Sequence, residues 1–269
     1  MSAVSAFSQL KEMISGEATK ARFQEILGKK APGFMSSILS VVNSNQDLQV
    51  CDPKSVLMAA SIAATLDLPI NPNLGFAAIV PYKNKGGSIA QFQMMYKGFI
   101  QLAERSGQYQ RINASIVYDG QLIREDPFAG DYEFDYYAKK SDTIIGYMAY
   151  IRLNNGFEKY LYMPEDEVKK HAKKYSQTYK RGFGKWMDDF DAMALKTVLK
   201  LLLSKYGILS IEMQHAVTFD QAEVRGNVNH IEDVSPEYVD NEPAAIDAKI
   251  ERLKSKKEEG PNNNAPETP

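Results

Sequence analysis

The sequence predicts an α+β fold, and three features predict it. Apolar residues recur at three- and four-residue spacings up to about residue 45, which is typical of helices that bury one face. Segments with period-two alternation, separated by turn-forming residues, follow between about residues 75 and 163. A run with near-helical apolar spacing from Trp186 to Tyr206 comes after them.

Helices are predicted throughout the N-terminal part. The apolar residues that carry the first pattern are Phe23, Ile26, Leu27, Phe34, Ile38, Leu39 and Val42. Asp52 followed by Pro53 is a favourable helix start, because the carboxylate can cap and proline needs no N–H donor in the first turn. The helix should run from Lys54 to Leu68, and its few charges predict burial on several sides.

A β-hairpin is predicted next, from Gly75–Tyr82 and Ser88–Tyr96, because the glycines of its basic connection can take positive φ. A helix from about Lys97 to Ser106 follows it. Further strands are predicted at 109–118, 132–137, 143–153 and 157–163. Asn154-Asn155-Gly156 is a turn signal that joins the last two strands.

Charge is unevenly distributed along the chain. Residues 226–269 carry ten acidic and five basic side chains, whereas the preceding 225 carry 24 acidic and 27 basic ones. We therefore expect one domain over residues 1–225, with helices up to about residue 50 and an α+β core up to about residue 215. Residues 226–269 are expected to form an acidic, mostly disordered tail, because large apolar residues become rare there.

Composition also predicts the compartment. No stretch approaches the roughly 18 to 20 apolar residues of a membrane helix, and the N-terminus lacks the apolar region of a signal peptide. The single cysteine, Cys51, cannot form an internal disulfide and is expected to be a small packing residue. A cytosolic protein without a membrane partner is expected.

The strongest binding signal lies between Lys169 and Lys185, which includes seven Lys/Arg residues and no acid. The basic residues are Lys169, Lys170, Lys173, Lys174, Lys180, Arg181 and Lys185. Tyr175, Tyr179, Phe183 and Trp186 are interleaved with or follow them, and aromatic faces can stack on bases without sequence preference. The combination favours single-stranded nucleic acid, although a solvated lysine face beside aromatic core residues would give the same pattern.

A second basic feature is predicted on the long helix. Lys185, Lys196 and Lys200 are spaced by eleven and four residues and would lie along one stripe. Asp189 would lie on that stripe too, where it could pair with Lys185 or with a neighbouring subunit.

No enzyme signature is found. The segment Gly182–Trp186 lacks the spacing of a phosphate-binding loop, so NTP hydrolysis is not expected. The three histidines show no metal-ligand spacing, and the acids at 188, 189 and 191 are explained by the dipole of a helix start. We expect no catalytic site, no nucleotide cofactor and no structural metal.

Several separate blocks, in order and spacing, resemble the RecT family of phage and prophage recombination proteins. They are Asp52–Leu57, Leu68–Pro72 through Pro81-Tyr82, Tyr96–Ile100, Ala103–Gly107 and Trp186–Met213. The resemblance covers roughly residues 35 to 220. It implies ATP-independent annealing of single-stranded DNA, action with a 5′-to-3′ exonuclease, and assembly into rings or helical filaments. It also implies a fold similar to that of Red beta, with a β-sheet and hairpin packed on a long helix to form a basic groove.

The resemblance also implies site residues. Tyr96, Lys97, Arg105, Trp186, Lys196 and Lys200 match aromatic or basic positions of the family, whereas Leu195 departs from a common lysine. Arg111, together with Lys180, Arg181 and Lys185 of the basic segment, completes the predicted DNA-binding set. Contacts to phosphate would hold one strand with its base edges open to a second strand, with weak sequence preference.

The expected partners are single-stranded DNA, the annealed duplex, further copies of the chain, a phage exonuclease and a host single-strand-binding protein. Two alternatives stay open at this point. One is a passive single-strand-coating protein, and the other is a structural phage assembly protein that oligomerises without DNA.

Overall fold

The computed structural model describes residues 5–84, 87–182, 184–220, 222–224 and 236–238, and their fold is α+β as predicted. The helices are α1 (Ala6–Ser15), α2 (Glu17–Leu27), α3 (Ala31–Asn43), α4 (Gln46–Gln49), α5 (Pro53–Thr65), α6 (Tyr96–Arg105), α7 (Glu165–Tyr175), α8 (Gln177–Lys180), α9 (Lys185–Asp188), α10 (Phe190–Tyr206) and α11 (Ile211–Phe219). The strands are β1 (Ala77–Asn84), β2 (Gly87–Met94), β3 (Tyr109–Tyr118), β4 (Leu122–Asp126), β5 (Asp131–Phe134), β6 (Ile144–Leu153), β7 (Glu158–Pro164), β8 (Ala222–Val224) and β9 (Pro236–Tyr238). Single 3-10 turns occupy Gly28–Lys30, Pro72–Leu74 and Tyr136–Ala138.

Helix α5 is the centre of the N-terminal part. The Asp52 carboxylate accepts from the backbone N–H groups of Lys54 and Ser55, which confirms the predicted cap. Every residue from Val56 to Ala64 is buried. Helices α1 and α2 pack on one side of α5 and strand β2 on another, so the predicted burial on several sides is confirmed.

The β1–β2 hairpin is confirmed, with a register that runs from Ala77 opposite Met94 to Asn84 opposite Gly87. Gly87 has a φ of 131°, as its place beside the connection requires. Helix α6 begins directly after the hairpin and lies very close to it, because a Cβ atom at Gly98 would overlap the carbonyl oxygen of Phe76.

Strands β3, β6 and β7 form an antiparallel sheet with β6 in the middle. Tyr147, Ala149 and Ile151 of β6 point to one face, where they join Val198 and Leu202 of α10 in the core. Alternate residues point to the other face, which we call the outer face. The long helix therefore covers one side of the sheet, in agreement with the fold that the resemblance implies.

One expectation about strands needs correction. A single strand was expected at 132–137, but β4 and β5 form a small antiparallel hairpin of their own, and a 3-10 turn follows at Tyr136–Ala138. The turn at Asp126–Gly130 is closed by hydrogen bonds to the Asp126 carboxylate, a local signal that hydrophobic periodicity does not register.

Most of the predicted acidic tail lies outside the described residues. Within it, β9 pairs with β8 in an antiparallel ladder from Ala222 opposite Tyr238 to Val224 opposite Pro236. The boundary at residue 225 and the disorder of the tail therefore stay predictions. Among the described residues, no helix is long and apolar enough to cross a membrane.

Candidate nucleic-acid interface

Helix α7 carries the first half of the predicted basic segment. Val168 and Ala172 are buried against the core, which fixes the face that the helix exposes. Glu165 and Asp166 in the first turn form ion pairs with Lys169 (2.8 Å) and Lys170 (2.7 Å) one turn later. These two lysines are therefore partly neutralised, whereas Lys173 and Lys174 are exposed beyond them.

The connection from α8 to α9 carries the second half. Gly182 and Gly184 both have positive φ, at 78° and 90°, so the chain turns sharply here. Trp186 follows the turn and is only 7% exposed. Its ring packs on Tyr179 at 6.1 Å and on Phe190 at 5.4 Å between ring centroids.

Trp186 therefore anchors this turn in the core and presents no free face on which a base could stack. Burial of a large aromatic ring is its physical role here, which was one of the two interpretations of the pattern. The cations on either side of the anchor remain at the surface.

Five side chains form what we call the basic cluster. They are Lys173, Lys174, Lys180, Arg181 and Lys185, and all are exposed. No described carboxylate forms an ion pair with any of them. Unpaired cations at this density attract a polyanion and exchange their counterions for its phosphates.

The predicted stripe along one long helix is wrong. The helix stops at Asp188 and restarts at Phe190, because Asp189 has a non-helical backbone (φ −151°, ψ 78°) and its carboxylate caps the new helix at the N–H of Ala192 (3.1 Å). Lys185 therefore lies on α9 and not on α10. Asp189 is used as a cap, and no ion pair between it and Lys185 is found among the described residues.

Lys196 and Lys200 also differ from expectation, because both point at one buried carboxylate. Asp220 is 1% exposed and accepts from Lys200 Nζ (2.6 Å), from Lys196 Nζ (3.4 Å) and from the backbone N–H of Met94 (2.9 Å). Lys196 itself is only 7% exposed, whereas about a quarter of the Lys200 side chain reaches the surface. The group ties α10 and β2 to the end of α11, so the charge of Lys196 stabilises the fold and is not free for a phosphate.

The charges of this group shift its titration. Burial alone would raise the pKa of Asp220, but the charges of Lys196 and Lys200 and the hydrogen bonds from Lys200 and Met94 outweigh it, so the pKa is lowered. Burial lowers the pKa of Lys196, and Lys200 adds to that effect against the attraction of Asp220. Two ammonium groups share one carboxylate, so the carboxylate is the better stabilised partner.

His171 links this group to the basic cluster. Burial, and then the charges of Lys200 and Lys174, lower its pKa from 6.5 to about 4. Its ring lies 4.6 Å from that of Tyr175. The charges of Lys174 on α7 and Lys200 on α10 thus both act on His171, a relation that the sequence does not indicate.

The remaining predicted site residues lie on other elements. Lys97 is exposed at the start of α6, and Tyr96 beside it is half-buried, with a pKa raised by burial against a hydrogen bond at Ala114. Arg105 donates to the carbonyl oxygens of Leu66 (2.7 Å) and Asp67 (2.8 Å), which lie just past the end of α5.

Arg105 is therefore held by the fold, although part of its side chain is exposed. Arg111 is exposed on the outer face of the sheet. The structure thus gathers Lys180, Arg181 and Lys185 around the Trp186 anchor, and it joins Lys196 and Lys200 at Asp220. Burial leaves Trp186 and Lys196 little surface for DNA, and DNA contact by the other eight residues stays a prediction.

Comparison with known proteins decides the family. The model of the RecT family matches residues 32–236 of the chain. The chain belongs to the RecT family. It is 49% identical over 239 residues to the uncharacterized protein YqaK of Bacillus subtilis (strain 168), covering 88% of this chain and 81% of that protein. It is 29% identical over 183 residues to the protein RecT of Escherichia coli (strain K12), covering 64% of this chain and 65% of that protein.

Membership of the RecT family supports a role in DNA recombination by single-strand annealing. The predicted resemblance is therefore confirmed. Within the described part of this RecT-family chain, no group of three or more His, Cys, Asp or Glu side chains is placed to hold a metal ion.

Two structural features of this RecT-family chain were missed by sequence reasoning. Asp220 lies 20 residues after Lys200, and no local pattern indicates that they meet. The outer face of the sheet, by contrast, could have been predicted in part from the sequence. The short turn after β6 fixes the register with β7, and that register places Tyr150 opposite Tyr160 and Arg152 opposite Glu158.

Proposed function

We propose that this protein binds single-stranded DNA through the basic cluster and anneals complementary strands without a nucleotide or metal cofactor. The observation that carries the proposal is the cluster itself, in a chain of the RecT family. It consists of five exposed cations without described ion pairs, and three of them flank the turn that the buried Trp186 anchors. A charge pattern alone would fit many anionic partners. Family membership narrows the partner to DNA.

The cluster would act on phosphate. Lys180, Arg181 and Lys185 lie within six residues of one another around a turn fixed by two glycines, so they can contact successive phosphates of one strand. Such contacts carry little sequence information and leave the base edges free. Screening of the backbone charge lowers the repulsion between two strands. Base pairing then supplies the free energy, so no hydrolysis step is required.

The finer parts of the proposal concern assembly and partners. We propose that copies of the chain form a ring or helical filament on DNA in the cytoplasm of a bacterial host, and that the gene has a phage or prophage origin. The strand would be exposed by a phage 5′-to-3′ exonuclease, and a host single-strand-binding protein would be a further partner. The acidic residues 226–269 would keep the chain solvated or bind a partner.

The test is annealing of two complementary labelled oligonucleotides by the full chain, with chelator present and without nucleotide. We expect pair formation to be faster than in a protein-free control by at least tenfold. Tight strand binding without acceleration would replace the proposal with a passive coating protein. An affinity that does not fall as salt rises would point to a structural assembly protein instead.

A further inference from the structure

The outer face of the β3–β6–β7 sheet is not covered by the long helix. Arg111, Asn113 and Ser115 project from it on β3, and all three are exposed. Tyr150 and Arg152 project from β6 in the same rows, because directly paired residues of antiparallel strands share a face. The β4–β5 hairpin packs beside β7 and leaves the β3 side of this face open.

Aromatic rings form a continuous run across this face. The Tyr150 and Tyr160 rings are 4.5 Å apart between centroids, and Tyr160 contacts Phe134 at 5.6 Å. Phe134 and Tyr132 of the hairpin both contact Tyr162, at 6.0 and 5.8 Å. Tyr162 is buried, whereas Tyr150 and Tyr160 are only partly buried. The run thus has an anchored end at the hairpin and an accessible end at Tyr150.

Two arginines face each other beside the accessible end. Arg111 and Arg152 are directly paired across β3 and β6, and like charges in that position destabilise a sheet. No described carboxylate forms an ion pair with either guanidinium, and the buried Nε of Arg152 has no hydrogen-bond partner among the described residues. Glu158 is the next residue in the row, but its carboxylate accepts from the Tyr150 hydroxyl (2.6 Å). An anion between the two guanidinium groups would remove the repulsion.

We propose that this outer face is a second nucleic-acid site, on which the Arg111–Arg152 pair holds a phosphate of a single strand and Tyr150 and Tyr160 stack on its bases. A single-strand site requires cationic groups for the phosphates and aromatic rings that bases can reach. Here the arginine pair and the partly exposed rings of Tyr150 and Tyr160 lie in adjacent rows of one sheet. The site lies on a different element from the basic cluster. The inference rests on the proposed function for the identity of the ligand, since a chain that anneals must accommodate two strands.

Binding of a fluorescent single-stranded oligonucleotide to the full chain tests the proposal. We expect Tyr150→Val, which keeps a strand-forming residue but removes the ring, to weaken binding roughly fivefold, corresponding to about 1 kcal/mol. Tyr150→Phe should bind as the wild type does, because the ring remains. Tyr137→Val is the matched control, since Tyr137 is 90% exposed and its ring meets that of Tyr136 edge to face, outside the run.

The arginines provide an independent measurement that does not depend on the packing of the sheet. Arg111→Gln combined with Arg152→Gln should reduce the slope of log affinity against log salt by roughly 0.7, because the contact to one phosphate is lost. Arg124→Gln is the control, because Arg124 is exposed on β4 and pairs with Glu133 (3.6 Å). Quenching of 2-aminopurine in the oligonucleotide by the wild type, lost in Tyr150→Val, would support stacking.

An unchanged slope in the double arginine variant would overturn the proposal while leaving the proposed function intact. A changed sedimentation coefficient of this variant without DNA, together with an unchanged slope, would overturn it in favour of an interface between copies of the chain. If the wild type bound no single strand at all, the proposed function itself would fail.

Discussion

At the residue scale, one buried carboxylate determines what two lysines do. Asp220 holds Lys196 and Lys200 inside the fold, so cationic side chains that look like phosphate ligands serve as structural ions. A charge buried in this way is expensive unless it is paired, and here every partner comes from a distant part of the chain.

We expect Asp220→Asn to destabilise the protein by about 3 kcal/mol, because it leaves two ammonium groups facing each other without a counter-ion. Urea unfolding at pH 7 measures the loss. Asp142→Asn is the control, since Asp142 is 95% exposed in its pair with Lys139 and should leave the transition in place. Equal midpoints for the two variants would contradict a stabilising role of Asp220.

His171 makes a separate contribution that depends on pH. Its pKa is about 4 in the folded chain, whereas an unperturbed histidine has a pKa of 6.5, so the fold favours the neutral imidazole. The unfolded chain binds more protons between these values, and stability from His171 is therefore complete above about pH 6.5 and is lost as the pH falls toward 4.

His171→Gln should remove part of this dependence. We expect the wild type to lose about 1 to 2 kcal/mol more than His171→Gln between pH 7 and pH 5, after allowance for partial solvent access. Urea unfolding at the two pH values measures the difference. The exposed His215→Gln is the control and should behave as the wild type does; parallel pH profiles for all three proteins would rule out the contribution of His171.

The contacts of individual side chains were harder to predict than the chemical character of a segment. The sequence correctly indicates a basic and aromatic segment between Lys169 and Trp186, but it leaves open whether the rings face DNA or the core. The Trp186 ring packs on Phe190 and therefore faces the core. This contact depends on a helix break at Asp189 that apolar spacing does not reveal. Asp220 was beyond prediction because its partners are 20, 24 and 126 residues away.

At the element scale, the contact between α6 and the β1–β2 hairpin is the tightest backbone approach that a substitution can test. Gly98→Ala would force α6 away from Phe76, and the main-chain atoms on both sides give little room to adjust. We expect a loss of at least 2 kcal/mol in the free energy of unfolding, typical of an overpacked core.

Gly33→Ala provides the matched control inside another helix. A Cβ atom at Gly33 would meet nothing within 4 Å, so alanine should stabilise α3 by about 0.5 to 1 kcal/mol. Urea unfolding should show that Gly98→Ala lowers the free energy of unfolding and that Gly33→Ala raises it. Stabilisation by both would show that α6 is free to shift on the hairpin.

Helices and strands whose ends are marked by clear start or stop residues were predicted well. The hairpin, α5 and strands β3, β6 and β7 lie within a few residues of their predicted bounds, because Asp-Pro, glycine and Asn-Gly signals mark their ends. Strand β4 was not predicted, and the strand expected at 132–137 extends past the end of β5 into a 3-10 turn. The β4–β5 hairpin is short, and its polar and aromatic residues are mostly exposed, so apolar alternation carries little information there.

At the scale of the whole molecule, the fold separates two surfaces that have the chemistry of strand binding. Helices α7 to α9 expose the basic cluster, and the sheet exposes an arginine pair beside stacked tyrosines. The core between them, formed by α10 and the inner face of the sheet, holds the two surfaces in fixed positions relative to each other. An annealing protein needs this separation if each of two strands is to be held by its backbone.

The central claim is that the basic cluster binds the phosphate backbone of a single strand. Its most direct test is the salt dependence of oligonucleotide binding by Lys180→Gln/Arg181→Gln/Lys185→Gln. The claim predicts a slope reduced by roughly 2 log units per log unit of salt, at about 0.7 per lost contact, and slower annealing. Lys20→Gln/Lys29→Gln/Lys54→Gln is a charge-matched control on exposed lysines of the N-terminal part and should keep the wild-type slope. A wild-type slope in the cluster variant would contradict the claim.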